Sequence, residues 1–311
     1  MTSGAITAAA AGTWRLGGLA VNRVGFGSMR LPQTGPAFAS DAPPRDRHQA
    51  IEVLRRAVEL GVNHVDTAAF YFSRLRAANE LINQALSPYP DDLVIATKVG
   101  PRRDSSGGWL PPATPEQLRG DVEENLRQLG RDHLDVVNLR VSGPGPIAEH
   151  FGALAALRDG GLIRHLGLSN VRPQQLVEAQ AIAPVVCVQN SYGLGHRPQQ
   201  DEFVRACGAQ GIAFVPFFSI AGGRREAGAG DDEPEAVRAV ARARRATVAQ
   251  VRLAWALLRG PHLLVIPGTG DPDHLVENVA AGALELTPDE LARLDAAHLG
   301  VTCGDDGGGP R

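Results

Sequence analysis

The sequence predicts an α/β fold, a closed (β/α)8 TIM barrel with an N-terminal β-hairpin cap, and three observations lead there. Eight short β-branched or apolar runs alternate with longer segments of helical period. No change of charge and no long linker divides the 311 residues, so the eight units read as one closed parallel sheet. Polar residues interrupt the apolar runs at their C-terminal ends, which is where a barrel collects its chemistry. An open doubly wound sheet is the main rival. It wants a three-glycine fingerprint after its first strand, and Gly25-Phe26-Gly27-Ser28-Met29-Arg30 lacks the third glycine.

In chain order, residues 13–22, with Gly17-Gly18 at the centre, predict a hairpin that caps the bottom of the barrel. The eight strands are expected at residues 23–28, 62–67, 93–99, 134–140, 163–169, 185–190, 212–218 and 263–268. Amphipathic segments at 47–60, 77–87, 115–129, 147–159 and 173–181 predict helices between them. Thr114-Pro115-Glu116-Gln117 opens one of these and Gly130 closes it, a start and stop pair with a known backbone cause. Two stretches break the rhythm: a Pro-rich loop at 32–45 and a glycine-rich one at 221–234. Both follow strand C-termini, the functional side of a barrel. The barrel domain is expected to span 13–298, with 1–12 and 299–311 as flexible tails.

Composition narrows the function. Thirty-one basic and 34 acidic side chains give a net charge of −3, which does not advertise a nucleic-acid binder. With 43% hydrophobic residues and so little net charge, disorder is excluded as well. The three cysteines, Cys187, Cys207 and Cys303, form no CxxC pair and fit neither a disulfide framework nor a zinc site; no metal is expected. Without a recognisable signal segment or an 18-residue apolar run, a cytoplasmic protein with no membrane partner is expected.

The polar residues at the strand ends are the candidates for chemistry. Asp66 ends strand two, with Tyr71 five positions on; Lys98 ends strand three and Arg140 strand four. Ser169-Asn170, Gln189 and Phe217-Phe218 end strands five to seven. One such group would pass for a satisfied core residue, but a ring of them at the same end is hard to explain as packing.

The motifs Asp66-Thr67-Ala68-x-x-Tyr71, Ala96-Thr97-Lys98, Gly167-Leu168-Ser169-Asn170, Val188-Gln189-Asn190 and Ile266-Pro267-Gly268-Thr269, followed by Glu277-Asn278, resemble those of the aldo-keto reductases in order and spacing. The resemblance runs from about residue 13 to residue 298. The run Leu134-Asp135-Val136-Val137-Asn138-Leu139-Arg140 looks most like the bacterial branch that contains pyridoxal reductases.

The resemblance implies hydride transfer from NADPH to a small aldehyde or ketone, pyridoxal-like or anionic, with Tyr71 as general acid. Free tyrosine has a pKa near 10 and is a reluctant acid. A neighbouring ammonium from Lys98 stabilises its phenolate, and each tenfold gain in acidity is worth about 1.4 kcal/mol. Asp66 would keep Lys98 protonated in a partly dry cavity.

Two departures from the family pattern matter. Arg140 stands where most relatives have histidine; it cannot hand on protons, but it can hold an oxyanion and favour a carboxylate or phosphate. After Tyr71, Phe72-Ser73-Arg74-Leu75-Arg76 is bulkier and more basic than the usual glycine and small residue. That leaves room for imine or alkene reduction on the same scaffold. A redox-silent nucleotide-binding barrel and a cofactor-free lyase or isomerase are the further alternatives.

For the cofactor, the resemblance assigns Ser169, Asn170 and Gln189 to the nicotinamide carboxamide and Phe217 to stacking on its ring. Arg224, with Arg225, would close over the pyrophosphate. Gly268, Thr269, Gly270, Asp271, His274, Glu277 and Asn278 fall in the segment that holds the adenosine end. Relatives that prefer NADPH carry lysine or arginine around there, whereas Asp271 and Asp273 would repel a 2′-phosphate, which leaves NADH open. The specificity loops at 32–45 and 101–112, Trp109 included, show no motif, and neither does the oligomeric state.

Overall fold

The computed structural model describes residues 6–35, 37–39, 41–220 and 233–300. Its strands are β1 (Thr13–Leu16), β2 (Leu19–Asn22), β3 (Phe26–Gly27), β4 (His64–Asp66), β5 (Val94–Val99), β6 (Arg102–Arg103) and β7 (Trp109–Leu110). They continue with β8 (Leu134–Arg140), β9 (Ile163–Ser169), β10 (Val185–Gln189) and β11 (Ala213–Phe214). The helices are α1 (Arg47–Glu59), α2 (Ala78–Leu86), α3 (Leu118–Leu129), α4 (Ala148–Asp159), α5 (Pro173–Gln180), α6 (Asp201–Ala209), α7 (Glu235–Arg244), α8 (Val248–Leu257), α9 (Pro272–Ala280) and α10 (Pro288–Leu299).

Seven strands pair in parallel in the order β11-β10-β9-β8-β5-β4-β3. The eighth run, expected at 263–268, joins the two edges through isolated parallel bridges, Phe214 with Leu263 and Val24 with Val265. Leu264 donates its N–H to the Phe214 carbonyl (3.0 Å), and Gly25 and Gly27 donate to Val265 (2.8 Å) and Pro267 (3.2 Å). The sheet is therefore closed. Closure depends on two glycines, because a Cβ on Gly268 would stand 2.4 Å from the Gly27 carbonyl oxygen. Pro267 also lacks an N–H, so the pairing here is shorter than the apolar runs suggest.

Alternation along the strands sorts the side chains. Val94, Ala96, Val136, Cys187, Ala213, Val215 and Leu264 point inward and form one cluster with Leu16 and Val21 of the β1–β2 hairpin. The hairpin thus plugs the bottom of the barrel as expected, turning at Gly17 with φ 60. Ile95, Val99, Val137, Leu139, Leu166, Leu168, Val188 and Phe214 point the other way, into the main core beneath the helices.

Helix boundaries follow the sequence signals within a residue or two, with one informative difference. Residues 114–117 form a turn rather than helix, the Gln117 side chain accepting the Thr114 N–H (3.0 Å), and α3 begins at Leu118. Gly130 ends it in the left-handed conformation, φ 63. In the front segment expected to be loose, Ala8–Ala11 form a 3-10 turn; Ala8 is buried and its N–H reaches the Leu60 carbonyl (2.8 Å). Among the described residues, no helix is long and apolar enough to cross a membrane. None of them groups three His, Cys, Asp or Glu side chains as a metal site would.

Candidate active site

The period of two that points Val94 and Ala96 into the barrel also points Lys98 there, one layer higher. Parity places Asp66 on β4, Arg140 on β8, Ser169 on β9 and Gln189 on β10 in the same inward set. Register then sets their heights: Lys98 lies opposite Asn138, while Ser169 lies between Arg140 and Gln189.

The result is a continuous polar chain around the rim. Lys98 Nζ donates to Asp66 Oδ1 at 2.6 Å and to the Thr67 carbonyl at 3.0 Å. Gln189 Nε2 donates to the other Asp66 oxygen at 2.7 Å. Ser169 Oγ meets Gln189 Oε1 at 3.5 Å and accepts from Arg140 Nη1 at 3.1 Å. Arg140 also lies over the Phe217 ring, 5.1 Å from its centroid. Asp66 and Lys98 are 4% and 3% exposed, so the ion pair is buried. Burial works against the Lys98 ammonium, but the charge of Asp66, and then Tyr71, outweigh it, and its pKa ends above the ordinary lysine value.

Tyr71 is buried beside this pair, its ring centroid 4.9 Å from Lys98 Nζ. Its N–H donates to the Ala68 carbonyl (3.0 Å) and its own carbonyl accepts from Ala78 (2.8 Å), which ties the tyrosine to the start of α2. Phe70 stands edge-on to it at 5.1 Å and Phe38 is tilted at 5.8 Å. The phenol, the amine and the acid thus converge at one end of the barrel. Beneath them, Gly167 leaves the space in which Asn138 Oδ1 meets Cys187 Sγ at 3.2 Å; a Cβ there would lie 2.1 Å from that oxygen.

The residues assigned to the cofactor divide into those that join the rim and those that do not. Ser169 and Gln189 are part of the polar chain, and Phe217 lies beside it under Arg140. Asn170, at φ 59, a conformation asparagine tolerates, donates instead to the Val141 carbonyl (2.9 Å). Arg224 and Arg225 lie outside the described residues. At the other end, Asp271 caps α9, accepting from the N–H groups of Asp273 (2.8 Å) and His274 (3.3 Å), and its own N–H is bound by Thr269 Oγ1 (3.0 Å). Its carboxylate is therefore turned onto the first turn of α9. Glu277 offers its carbonyl to Gln250 (3.1 Å), and Asn278 is buried in α9.

Sequence reasoning missed three groups. Arg45 stands against the adenosine-end segment, its Nε on the Arg30 carbonyl (3.1 Å) and its Nη1 on that of Gly270 (3.4 Å). Arg103 and Phe38 lie at the mouth above Tyr71. None of the three belongs to a motif or to the end of a predicted barrel strand, and only the tertiary fold brings them in.

Comparison with known proteins agrees with this geometry. The family model described as "Aldo/keto reductase family" matches residues 23–298. The chain is 46% identical over 290 residues to pyridoxine 4-dehydrogenase of Escherichia coli, covering 91% of this chain and 97% of that protein. It is 37% identical over 295 residues to an uncharacterised oxidoreductase of Schizosaccharomyces pombe, covering 94% and 92%. An aldo-keto reductase of Klebsiella pneumoniae, solved in complex with NADPH, superposes with a TM-score of 0.73 at 28% identity, over 90% of this chain and 92% of that one.

Proposed function

Since the chain belongs to the aldo/keto reductase family and is therefore a nicotinamide-dependent oxidoreductase that reduces carbonyl compounds, we propose that Tyr71 is its general acid and a pyridoxal-like aldehyde its substrate. The observation that carries this reading is the buried Lys98–Asp66 pair at 2.6 Å, set 4.9 Å from the Tyr71 ring. A bound nicotinamide nucleotide supplies the hydride; the residues of the chain provide the proton, the orientation and the charge.

Two of the three Lys98 N–H groups are taken by Asp66 and the Thr67 carbonyl. The third is the one that faces Tyr71, where it stabilises the phenolate left when Tyr71 gives its proton to the carbonyl oxygen. Asp66 keeps the ammonium charged, and Gln189 keeps Asp66 turned towards it. Arg140, permanently charged, adds positive potential at the same mouth and suits a substrate that bears a carboxylate or phosphate.

The cofactor fits the chain at both ends. Ser169, Gln189 and Phe217 border the catalytic group and would hold the nicotinamide, with Asn170 beside them. Thr269, Gly270 and the segment that leads into α9 would flank the adenosine end. Arg45, which stands against Gly270, sets one positive charge beside the carboxylates of Asp271 and Asp273, so NADPH is the expected cofactor from the relatives while NADH stays open. Cys187 and Cys207 are buried free thiols, in keeping with our reading of a cytoplasmic enzyme.

The deciding experiment is Tyr71→Phe. Turnover of pyridoxal with NADPH should fall roughly a hundredfold to ten-thousandfold, the usual worth of a positioned acid, while NADPH binding measured by protein fluorescence stays near that of the parent. Turnover within a few-fold of the parent would remove Tyr71 from its role.

A further inference from the structure

Arg103 stands on the β6–β7 hairpin, outside the polar chain of the rim. Its Nη1 donates to the carbonyls of Phe70 (3.2 Å) and Phe72 (2.7 Å), the residues on either side of Tyr71. Its Nη2 donates to the Phe38 carbonyl (3.2 Å), on the loop that follows β3. The hairpin holds the arginine in turn, Nε donating to the Gly107 carbonyl (3.0 Å). One guanidinium thereby fastens three separate segments of chain. A planar fork with five donors spread over three nitrogens can do this; a lysine, whose three donors sit on one nitrogen, cannot span carbonyls on three separate segments.

The same contacts gather rings. The guanidinium lies 4.4 Å from the Phe72 centroid, 5.4 Å from Phe38 and 5.6 Å from Trp109. Phe38 meets Trp109 at 5.3 Å and Tyr71 at 5.8 Å, and Phe70 lies between Tyr71 (5.1 Å) and Trp109 (6.2 Å). Trp109 is nevertheless 42% exposed, so the outer edge of this aromatic wall is open to solvent beside the acid. Such a wall offers edges and faces to a flat π-system and little to a short alkyl chain.

We propose that Arg103 is a positioning residue that, through the carbonyls of Phe38, Phe70 and Phe72, assembles Phe38, Phe70 and Trp109 into a wall that selects flat aromatic and heteroaromatic aldehydes. The inference rests on Tyr71 serving as the acid of a carbonyl reduction.

The test compares kcat/KM for pyridine-4-carboxaldehyde and butanal, with NADPH, in the parent, Arg103→Met, Arg103→Lys and Phe38→Leu. The parent should prefer the aromatic aldehyde at least tenfold. Arg103→Met should lower kcat/KM for that substrate at least tenfold, mainly through KM, and for butanal no more than about threefold, so the preference collapses. Arg103→Lys should not rescue it, because charge alone does not hold three carbonyls. Phe38→Leu, which leaves the arginine in place, should also erode the preference, and it keeps the test alive if Arg103→Met folds poorly. A general loss of folding would lower both substrates together and leave their ratio intact. A parent with no aromatic preference, or a preference that survives both Arg103→Met and Phe38→Leu, overturns the inference. A parent that turns over neither aldehyde overturns the reading of the site on which it rests.

Discussion

At the scale of single residues, the Lys98–Asp66 pair shows how much chemistry a strand pattern can carry. Both residues stand out in the sequence because each is a charge at the end of an apolar run, and the fold brings them to 2.6 Å. Gln189, by contrast, was legible only as a strand-end amide with a role taken from the resemblance. That its amide also holds Asp66 (2.7 Å) could not be read, since the partners lie 123 positions apart. The pair makes a quantitative prediction. Lys98→Met strands a buried carboxylate, which should cost on the order of 3 kcal/mol, whereas Asp66→Asn combined with Lys98→Met leaves two neutral groups. Urea unfolding should place the double variant closer to the parent than the single one, although both have lost their turnover. A single variant as stable as the double would mean that the pair is not desolvated as its burial indicates.

At the scale of elements, a relay of buried hydroxyls and amides carries the catalytic strands on the helices. Ser28 donates to Thr67 (2.8 Å), Thr67 to Asn79 of α2 (2.7 Å), and Asn79 to Asn125 of α3 (2.9 Å). Asn125 Oδ1 also accepts from Thr97 (2.6 Å), and its amide donates to the Asp121 carbonyl (2.8 Å). Thr67 and Thr97 flank Asp66 and Lys98, so this outward relay fixes the two strand ends whose inward neighbours form the ion pair. The Asp66-Thr67 and Thr97-Lys98 dipeptides were visible in the sequence, but as motif words; alternation explains why each charge is followed or preceded by a hydroxyl. The β6–β7 hairpin was not read from the sequence, because 101–112 shows no motif; Asp104 holds its turn, accepting from Ser106 and Gly108, and Arg103 fastens it to the neighbouring loops. Asn125→Leu should leave the Asn79 amide and the Thr97 hydroxyl without their acceptor, at about 1–3 kcal/mol for each buried group. Thermal unfolding should report a loss of several kcal/mol, and kcat should fall with little change in KM as the Asp66 and Lys98 strand ends loosen. A variant that unfolds within 1 kcal/mol of the parent would argue that the relay is not buried against water.

At the scale of the whole molecule, the closed barrel was legible because period, count and polarity agreed, and the closure itself was the hidden part. The first and last strands meet through bridges and two glycines rather than through long regular runs. Closing the sheet also traps groups that a flat sheet would leave wet, and His64 is one of them. It precedes Asp66 by two residues on β4, so it points into the same lumen one layer lower, with its ring packed so tightly on Gly25 that a Cβ there would stand 2.2 Å away. Burial pushes its pKa down to about 4 against an ordinary 6.5, a drop that Asp66 and the Asn22 backbone only partly offset. The folded barrel therefore keeps His64 neutral, while the unfolded chain takes up a proton below pH 6.5. Stability from this group is complete above that pH and is lost as pH falls towards 4, a change of about 3 kcal/mol. Because every other titrating group is common to both proteins, the difference in unfolding free energy between the parent and His64→Gln isolates it. Gln does not ionise, so the variant, although weaker near pH 7 through imperfect packing, should gain on the parent by about 3 kcal/mol between pH 6.5 and 4. Denaturant titrations at half-unit intervals would show it. Parallel curves for the two proteins would mean that His64 is protonated as readily inside the barrel as outside, and that water reaches the lumen below the Lys98–Asp66 pair.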